Sequence, residues 1–75
     1  MDLNDFIVNF AEQFDDTDAS EINAETKFHE LDDWGSLTGM GVIAMSKTLY
    51  GKTITGRELR NCETVQDLFN LISSK

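Results

Sequence analysis

The sequence has few of the residues on which covalent and catalytic sites are built. It contains one cysteine, Cys62, one histidine, His29, and no proline. A single thiol excludes an internal disulfide and a cysteine-based zinc site, so we expect Cys62 to pack as a small apolar residue. Hydrolytic catalysis needs a nucleophile, a base and an orienting group, and one histidine does not supply them. We therefore expect a protein that is not an enzyme, with His29 at the surface or anchoring a loop.

Basic residues and long apolar runs are also scarce. The 75 residues include 6 Lys and Arg against 14 Asp and Glu, which gives a net charge of -8. This charge repels phosphate backbones and anionic lipid headgroups, so we expect no nucleic-acid partner and instead a basic protein partner. No apolar run is long enough to span a bilayer, and Asp2 and Asp5 stand where a signal peptide needs positive charge. We expect a cytoplasmic monomer with a single domain over residues 1–75.

The charge is divided unevenly along the chain. Residues 1–35 contain one basic and eleven acidic residues, whereas residues 36–75 contain five basic and three acidic ones. Between Trp34 and Arg57 there is no carboxylate at all. The two halves of the sequence therefore have opposite charge.

A short segment of the acidic half resembles a metal-binding loop only in part. Asp16, Asp18 and Ser20 match the first three ligand positions of a calcium-binding EF-hand. The match then fails, because Glu21 stands where that loop needs glycine and Lys27 where it needs a bidentate glutamate. We therefore predict no dedicated metal site.

Apolar spacing predicts a first helix with Asp2 as its N-cap and an apolar stripe made of Leu3, Phe6, Ile7, Phe10, Ala11 and Phe14. The helix should end in residues 15–18, where short polar side chains that bond to the backbone favour turns. A long connection then runs to about Gly35. Connections of this length need anchors to the core, and the candidates are Ile22, Phe28, Leu31 and Trp34.

A second helix is predicted from Ser36, as its N-cap, to about Tyr50, with Leu37, Met40, Ile43 and Ala44 on one stripe. Thr55 with Glu58 fits a capping box for a short third helix over residues 56–60. Thr64 with Asp67 opens a fourth helix, whose stripe is Val65, Leu68, Phe69 and Ile72. The predicted fold is an all-α four-helix bundle with a short third helix and a long loop between helices one and two.

Two glycines lie inside the predicted second helix, Gly39 and Gly41. Each costs about 1 kcal/mol of helix stability relative to alanine. Either they let another helix or the long loop approach closely, or they give clearance for a ligand or partner.

Ser36 combines a predicted helix N-terminus with a flanking glycine. Serine at this position is commonly an N-cap and nothing more. A phosphate ester on its oxygen would also meet free backbone N–H groups and the positive end of the helix dipole. Position alone does not decide between these two interpretations.

The chain resembles the acyl carrier protein family in residues 31–37 (Leu-Asp-Asp-Trp-Gly-Ser-Leu), Ile54, Leu59 and residues 64–68 (Thr-Val-Gln-Asp-Leu). The resemblance covers nearly the whole chain. It implies a four-helix bundle in which a serine followed by leucine, at the start of the second helix, carries a 4′-phosphopantetheine arm. Ser36 matches that serine, with Gly35 before it and Leu37 after it.

The resemblance implies covalent carriage of acyl groups. A holo-synthase, the phosphopantetheinyl transferase, moves the arm from coenzyme A to Ser36, and the thiol of the arm then holds acyl groups as thioesters. The enzymes that load and transfer these groups are expected to have basic or apolar docking faces. An acyl chain can also slip beside the second helix, into a space that ordinary core packing explains equally well, lined by Phe28, Met40, Ala44, Ile54, Leu59, Cys62 and Leu68.

Two departures from the family set this chain apart. Gly35 stands where the family has the aspartate that helps the holo-synthase to recognise its substrate. The second helix is normally acidic but has no carboxylate here, so recognition is expected to use apolar contacts of Val42, Met45 and Leu49. This predicts specialised partners in a fatty-acid, lipid or secondary-metabolite pathway. The alternative is an unmodified carrier-like interaction module in which Ser36 only caps its helix.

Overall fold

Four α-helices make up the computed structural model, which describes residues 1–75 and contains no β-strand. They are α1 (Leu3–Ala11), α2 (Ser36–Tyr50), α3 (Gly56–Asn61) and α4 (Val65–Ser73). The connection between α1 and α2 contains two short 3-10 helices, Ala19–Glu21 and Phe28–Glu30. The predicted all-α fold, with a short third helix and a long first connection, is confirmed. None of these helices combines the length and apolar character needed to cross a bilayer.

Three of the predicted helix starts are confirmed by their hydrogen bonds. The Asp2 side chain caps α1 by accepting from the backbone N–H three residues on. Thr55 and Glu58 form a reciprocal capping box at α3. Thr64 and Asp67 do the same at α4. Each side chain satisfies backbone N–H groups that the first helical turn leaves without partners.

The first helix ends earlier than its apolar stripe predicts. It stops at Ala11, because the N–H groups of Gln13 and Phe14 donate to Phe10 (3.1 Å) and Ala11 (3.0 Å). These bonds reach back three residues rather than four, so the last turn tightens. Phe14 is nevertheless buried, since the tightened turn still directs its side chain to the core.

Aromatic rings dominate the core beside α1. Phe10 lies at the centre, with ring centroids 5.3 Å from Phe14, 5.5 Å from Phe28 and 6.5 Å from Trp34. Phe28 and Ile22 are buried, whereas Leu31 and Trp34 pack against the core with part of their surface exposed. The prediction that these four residues anchor the long connection is confirmed.

The connection is also bound to the start of α4 through its backbone. The N–H of Val65 donates to the carbonyl of Thr26 (3.1 Å), and that of Gln66 donates to the carbonyl of Ala24 (2.8 Å). These are N–H groups that α4 cannot satisfy within itself. Residues 24–26 therefore complete the cap that Thr64 begins.

The buried face of α2 is not the predicted one. Leu37 and Met40, predicted from their spacing to share one apolar stripe, are 84% and 65% exposed. Val42 and Met45, expected to be free for partner recognition, are buried in the core, and only Leu49 of that predicted set is exposed. The prediction was wrong because α2 has apolar residues on both sides, so spacing does not identify the inner face.

Ser46 lies on the inward face of α2, with Val42 and Met45. Its side chain is fully buried, and its hydroxyl donates to the carbonyl of Lys52 at 2.7 Å. The Lys52 N–H donates back to the Ser46 carbonyl at 3.1 Å. A buried hydroxyl costs free energy unless it is hydrogen-bonded, and this pair removes that cost where Gly51, in the left-handed conformation, ends the helix.

An Asp67→Asn variant should be less sensitive to acid than the parent chain. The backbone N–H groups of Thr64 and Glu63 donate to Asp67 and hold the pKa of its carboxyl below its usual value. Such a carboxyl stabilises the fold above its unfolded pKa of about 3.9, and this contribution is lost as the pH falls through the folded value. Asparagine keeps an accepting oxygen but has no charge.

The measurement is the thermal midpoint, followed by circular dichroism, from neutral pH down to about pH 2.5. The variant should melt below the parent at neutral pH, and the two midpoints should converge in acid. Asp5→Asn, an exposed carboxylate in α1 that accepts no hydrogen bond, is the control. A gap between Asp67→Asn and the parent that stays constant with pH would contradict the charge effect.

Candidate functional site

Ser36 is the first residue of α2, and the N-cap is Gly35. The prediction that Ser36 itself caps the helix is wrong. Gly35 has extended backbone angles (φ -165°, ψ -175°) and its carbonyl accepts the first helical bond, from Gly39, at 2.9 Å. These two properties define an N-cap. Because glycine has no side chain, α2 is the one α-helix of the four that begins without a side-chain cap.

The hydroxyl of Ser36 is consequently free. The residue is exposed, and its side chain makes no hydrogen bond with the rest of the protein. The backbone N–H groups of Ser36, Leu37 and Thr38 also have no acceptor in the chain, since the first α2 amide with a partner is that of Gly39. Three unpaired N–H donors and an unused hydroxyl therefore lie in the first turn of a 15-residue helix, at its positive end.

The segment before Ser36 is held on two sides. The Trp34 ring packs against Phe28 and Phe14, with centroids 4.9 and 6.0 Å away. Asp33 accepts from the N–H of Asp16 at 2.8 Å and from the hydroxyl of Thr17 at 3.0 Å. Contacts between residues so distant in sequence fix the start of α2 relative to α1. The free hydroxyl thus follows a backbone segment that is fixed by contacts on two sides.

His29 connects the same segment to α3. Its Nε2 lies 3.0 Å from the carbonyl oxygen of Cys62 and 3.3 Å from that of Leu59. Both partners are acceptors, so Nε2 carries the proton and donates. The imidazole also packs against Phe28 and Trp34, at 4.4 and 5.1 Å between centroids. The predicted loop-anchoring role of His29 is confirmed.

An open groove of about 290 Å³ begins at Ser36 and runs between α2 and α3. Trp34, Gly39 and Leu59 contribute to its walls, and Met40 and Arg60 also line it. A second open groove, of about 430 Å³, continues along α2 towards Lys47. The two grooves share Met40 and Ile43. They form one mostly apolar surface beside the serine.

The seven residues proposed to line an acyl space are not brought together around one cavity. Met40, Ala44 and Leu59 line the two grooves beside Ser36. The other four, Phe28, Ile54, Cys62 and Leu68, belong to the packed core. Any ligand lying against α2 in this arrangement would contact the first group only.

Cys62 is a packing residue. It is 8% exposed and belongs to the core. Burial raises the pKa of its thiol, and the negative charges of Asp67 and Glu58 raise it further. The thiolate is the form that attacks or binds metals, so this thiol is unsuited to either role.

The two glycines of α2 have different surroundings. A Cβ at Gly41 would lie 2.9 Å from Oε1 of Gln13, so Gly41 allows the turn after α1 to approach closely. A Cβ at Gly39 would lie at ordinary contact distance, 3.6 Å, from both Leu59 and Trp34. Gly39 lines the groove beside Ser36, between these two side chains. An added methyl group would fit there, so the clearance for a ligand or partner stays a prediction.

Sequence reasoning does not identify Arg60 or Gly56 as groove residues. Both reach the groove from α3, and the position of α3 against α2 follows from the core contacts of Leu59 rather than from any local pattern. The one sequence feature that indicates a close approach of α3 to α2 is a small residue on each helix, Gly39 and Gly56, because small residues permit close helix packing.

The site combines an exposed hydroxyl, unpaired N–H donors at a helix start and an adjoining apolar groove. A fold supports many activities, so function has to be argued from such a site. No protein-family model, curated protein or solved structure matches this chain.

Proposed function

We propose that this chain is an acyl carrier protein whose Ser36 receives a 4′-phosphopantetheine arm. The observation that carries the proposal is the free, exposed hydroxyl at the first position of the longest helix, opening onto an apolar groove. The resemblance of residues 31–37 and 64–68 to the carrier family supports it. The four-helix architecture is compatible with it.

The start of α2 fits a phosphodiester. The N–H groups of Ser36, Leu37 and Thr38 have no acceptor in the protein, and the helix dipole favours an anion at this end. In the attachment step the Ser36 oxygen forms a bond to the phosphorus next to the pantetheine of coenzyme A. The pyrophosphate bond breaks, adenosine bisphosphate leaves, and a base of the holo-synthase takes the hydroxyl proton. The chain itself supplies only the acceptor oxygen and the free N–H groups at the start of α2.

When bound, the arm supplies a terminal thiol that carries acyl groups as thioesters. This chain's residues then have two tasks. Trp34 and Asp33 fix the backbone segment that precedes Ser36. The groove walls at Met40 and Leu59 offer apolar surface next to the arm. A tethered group reaches each partner enzyme at a high effective concentration.

Intact-protein mass spectrometry tests the proposal. The chain is measured as isolated from its native cell, and again after incubation with coenzyme A, Mg²⁺ and a holo-synthase of broad specificity. We expect one phosphopantetheine increment, located on Ser36 by fragmentation. Absence of the increment from both samples would overturn the proposal.

A second candidate function is an unmodified interaction module. Exposed Leu37 and Met40 favour it, because adjacent exposed apolar side chains commonly mark contact surfaces. The same mass measurement distinguishes the two, since the module requires no increment on Ser36.

A Gly35→Asp variant should be both more stable and a faster substrate for a broad-specificity holo-synthase. A Cβ at Gly35 would meet no atom within 4 Å, and extended backbone suits any residue. An aspartate there can accept from the free N–H groups of α2, so we expect a gain of about 0.5–1 kcal/mol in unfolding free energy.

Thermal unfolding and the initial rate of phosphopantetheine transfer are the two measurements. Gly35→Ala is the matched control, because it removes the glycine without adding a carboxylate. Equal rates in the aspartate and alanine variants would show that the carboxylate is not what the enzyme recognises.

A further inference from the structure

The solvent side of α2 is unusually apolar for an exposed helix. Leu37 is 84% exposed and Met40 is 65% exposed. Ala44 follows one turn later and is also exposed. Met40 and Ala44 line the two grooves, which share Met40 and Ile43. Leu37 lies one turn before Met40 on the same side of the helix. Contiguous exposed apolar surface next to a groove is typical of a protein contact site.

The charges around this surface are all positive. Lys47 lines one groove and Arg60 the other, and neither groove is lined by a carboxylate. The one salt bridge of the chain joins Lys75 to Glu58 at 2.8 Å, so Lys47 and Arg60 have no anionic partner. The acidic residues are concentrated in residues 1–35. A molecule of net charge -8 thus has one cationic, apolar face, which we name the α2–α3 face: Leu37, Met40, Ile43, Ala44, Lys47 and Arg60.

The dimensions of this face match a short helix. The grooves extend along α2 from Ser36 to Lys47, which corresponds to roughly 16 Å, or three helical turns. An amphipathic helix places its apolar side chains on one stripe and its charges beside that stripe. Glutamates flanking such a stripe would meet Lys47 and Arg60 at the ends of the two grooves.

We propose that the α2–α3 face docks an acidic amphipathic helix of a partner protein. The partner's carboxylates pair with Lys47 and Arg60, and its apolar stripe covers Leu37 and Met40. Because the face adjoins Ser36, an enzyme that reaches this serine meets the same surface. The net charge of -8 suggests a basic partner, whereas this face favours an acidic one. The docking does not depend on modification of Ser36.

Two synthetic helical peptides of about 16 residues test the proposal against the isotope-labelled full chain by NMR. Both have a leucine stripe; one has flanking glutamates and the other has lysines in their place. At physiological salt the Debye length is about 8 Å, so carboxylates that lie farther than this from the face are largely screened. We expect the glutamate peptide to shift the amides of Leu37, Met40 and Lys47, and the lysine peptide to leave these three amides unshifted.

Charge reversal on the face provides the second measurement. Lys47→Glu and Arg60→Glu should each weaken binding of the glutamate peptide by about fivefold. Lys27→Glu is the matched control, because Lys27 is exposed and lines neither groove; it should change the Kd less than twofold. The proposal is overturned if the lysine peptide shifts the α2–α3 face equally, or if the glutamate peptide shifts none of it. It is also overturned if those amides move with chain concentration alone, since a second copy would then occupy the face.

Discussion

A Ser36→Ala variant should no longer accept a phosphopantetheine arm, while its unfolding free energy should change by less than about 0.5 kcal/mol. The arm is lost because the acceptor oxygen is gone. Stability is retained because the Ser36 hydroxyl makes no hydrogen bond and the N-cap of α2 is Gly35. Alanine is also a good residue for the first turn of a helix. Intact-mass measurement after incubation with coenzyme A and a holo-synthase, together with thermal unfolding, checks both parts.

Ser73→Ala is the matched control for this experiment. Ser73 is another exposed helical serine, at the end of α4, and its replacement should leave the mass increment unchanged. An increment on the Ser36→Ala variant would place the attachment elsewhere. A loss of more than about 1 kcal/mol in the same variant would show that the hydroxyl has a capping role after all.

A Phe10→Ala variant should be mostly unfolded at 37 °C. Phe10 is fully buried at the centre of the aromatic cluster, and removing such a ring costs about 3–5 kcal/mol. A domain of this size has a net stability of the same order, since its core supplies roughly 3–5 kcal/mol. The loss would therefore consume most of the stability. Circular dichroism and urea unfolding measure the effect.

Val8→Ala is the control for Phe10→Ala. Val8 is in the same helix but is 49% exposed, so its truncation should leave the cooperative transition close to that of the parent. A Phe10→Ala chain that melts cooperatively within a few degrees of the parent would contradict the central role of this ring. In an unfolded chain Trp34 no longer holds the start of α2, so modification of Ser36 should be reduced as well.

Local signals predicted the parts of the fold that depend on local contacts. The capping boxes of α3 and α4 are formed by residues three positions apart, Thr55 with Glu58 and Thr64 with Asp67. Such pairs can be predicted from the sequence because both partners belong to the same helical turn. The anchoring of the long connection by Phe28 could also be predicted, since a bulky aromatic residue in a polar segment tends to be buried in the core.

Tertiary contacts determined what the sequence pattern did not show. Leu37 and Met45 are both apolar, yet the first is exposed and the second is in the core, because the contacts of α2 with the rest of the core set its orientation. The N-cap at Gly35 follows from backbone angles rather than from residue preference. The groove at Ser36 depends on where Leu59 places α3, which no local signal contains.

The bonds from Ala24 and Thr26 to the start of α4 have a consequence for the order of folding. These contacts join residues about forty positions apart in a helical protein, whose other contacts are mostly local, and closing such a loop delays native structure. His29 adds a second link of this kind, to the carbonyl of Cys62. During synthesis, the carbonyls of Ala24 and Thr26 and the imidazole of His29 thus lack these hydrogen-bond partners until residues 62–66 have left the ribosome. The connection that leads to Ser36 is therefore completed late. Under the proposed function, a holo-synthase would meet the completed start of α2 only after residues 62–66 have emerged.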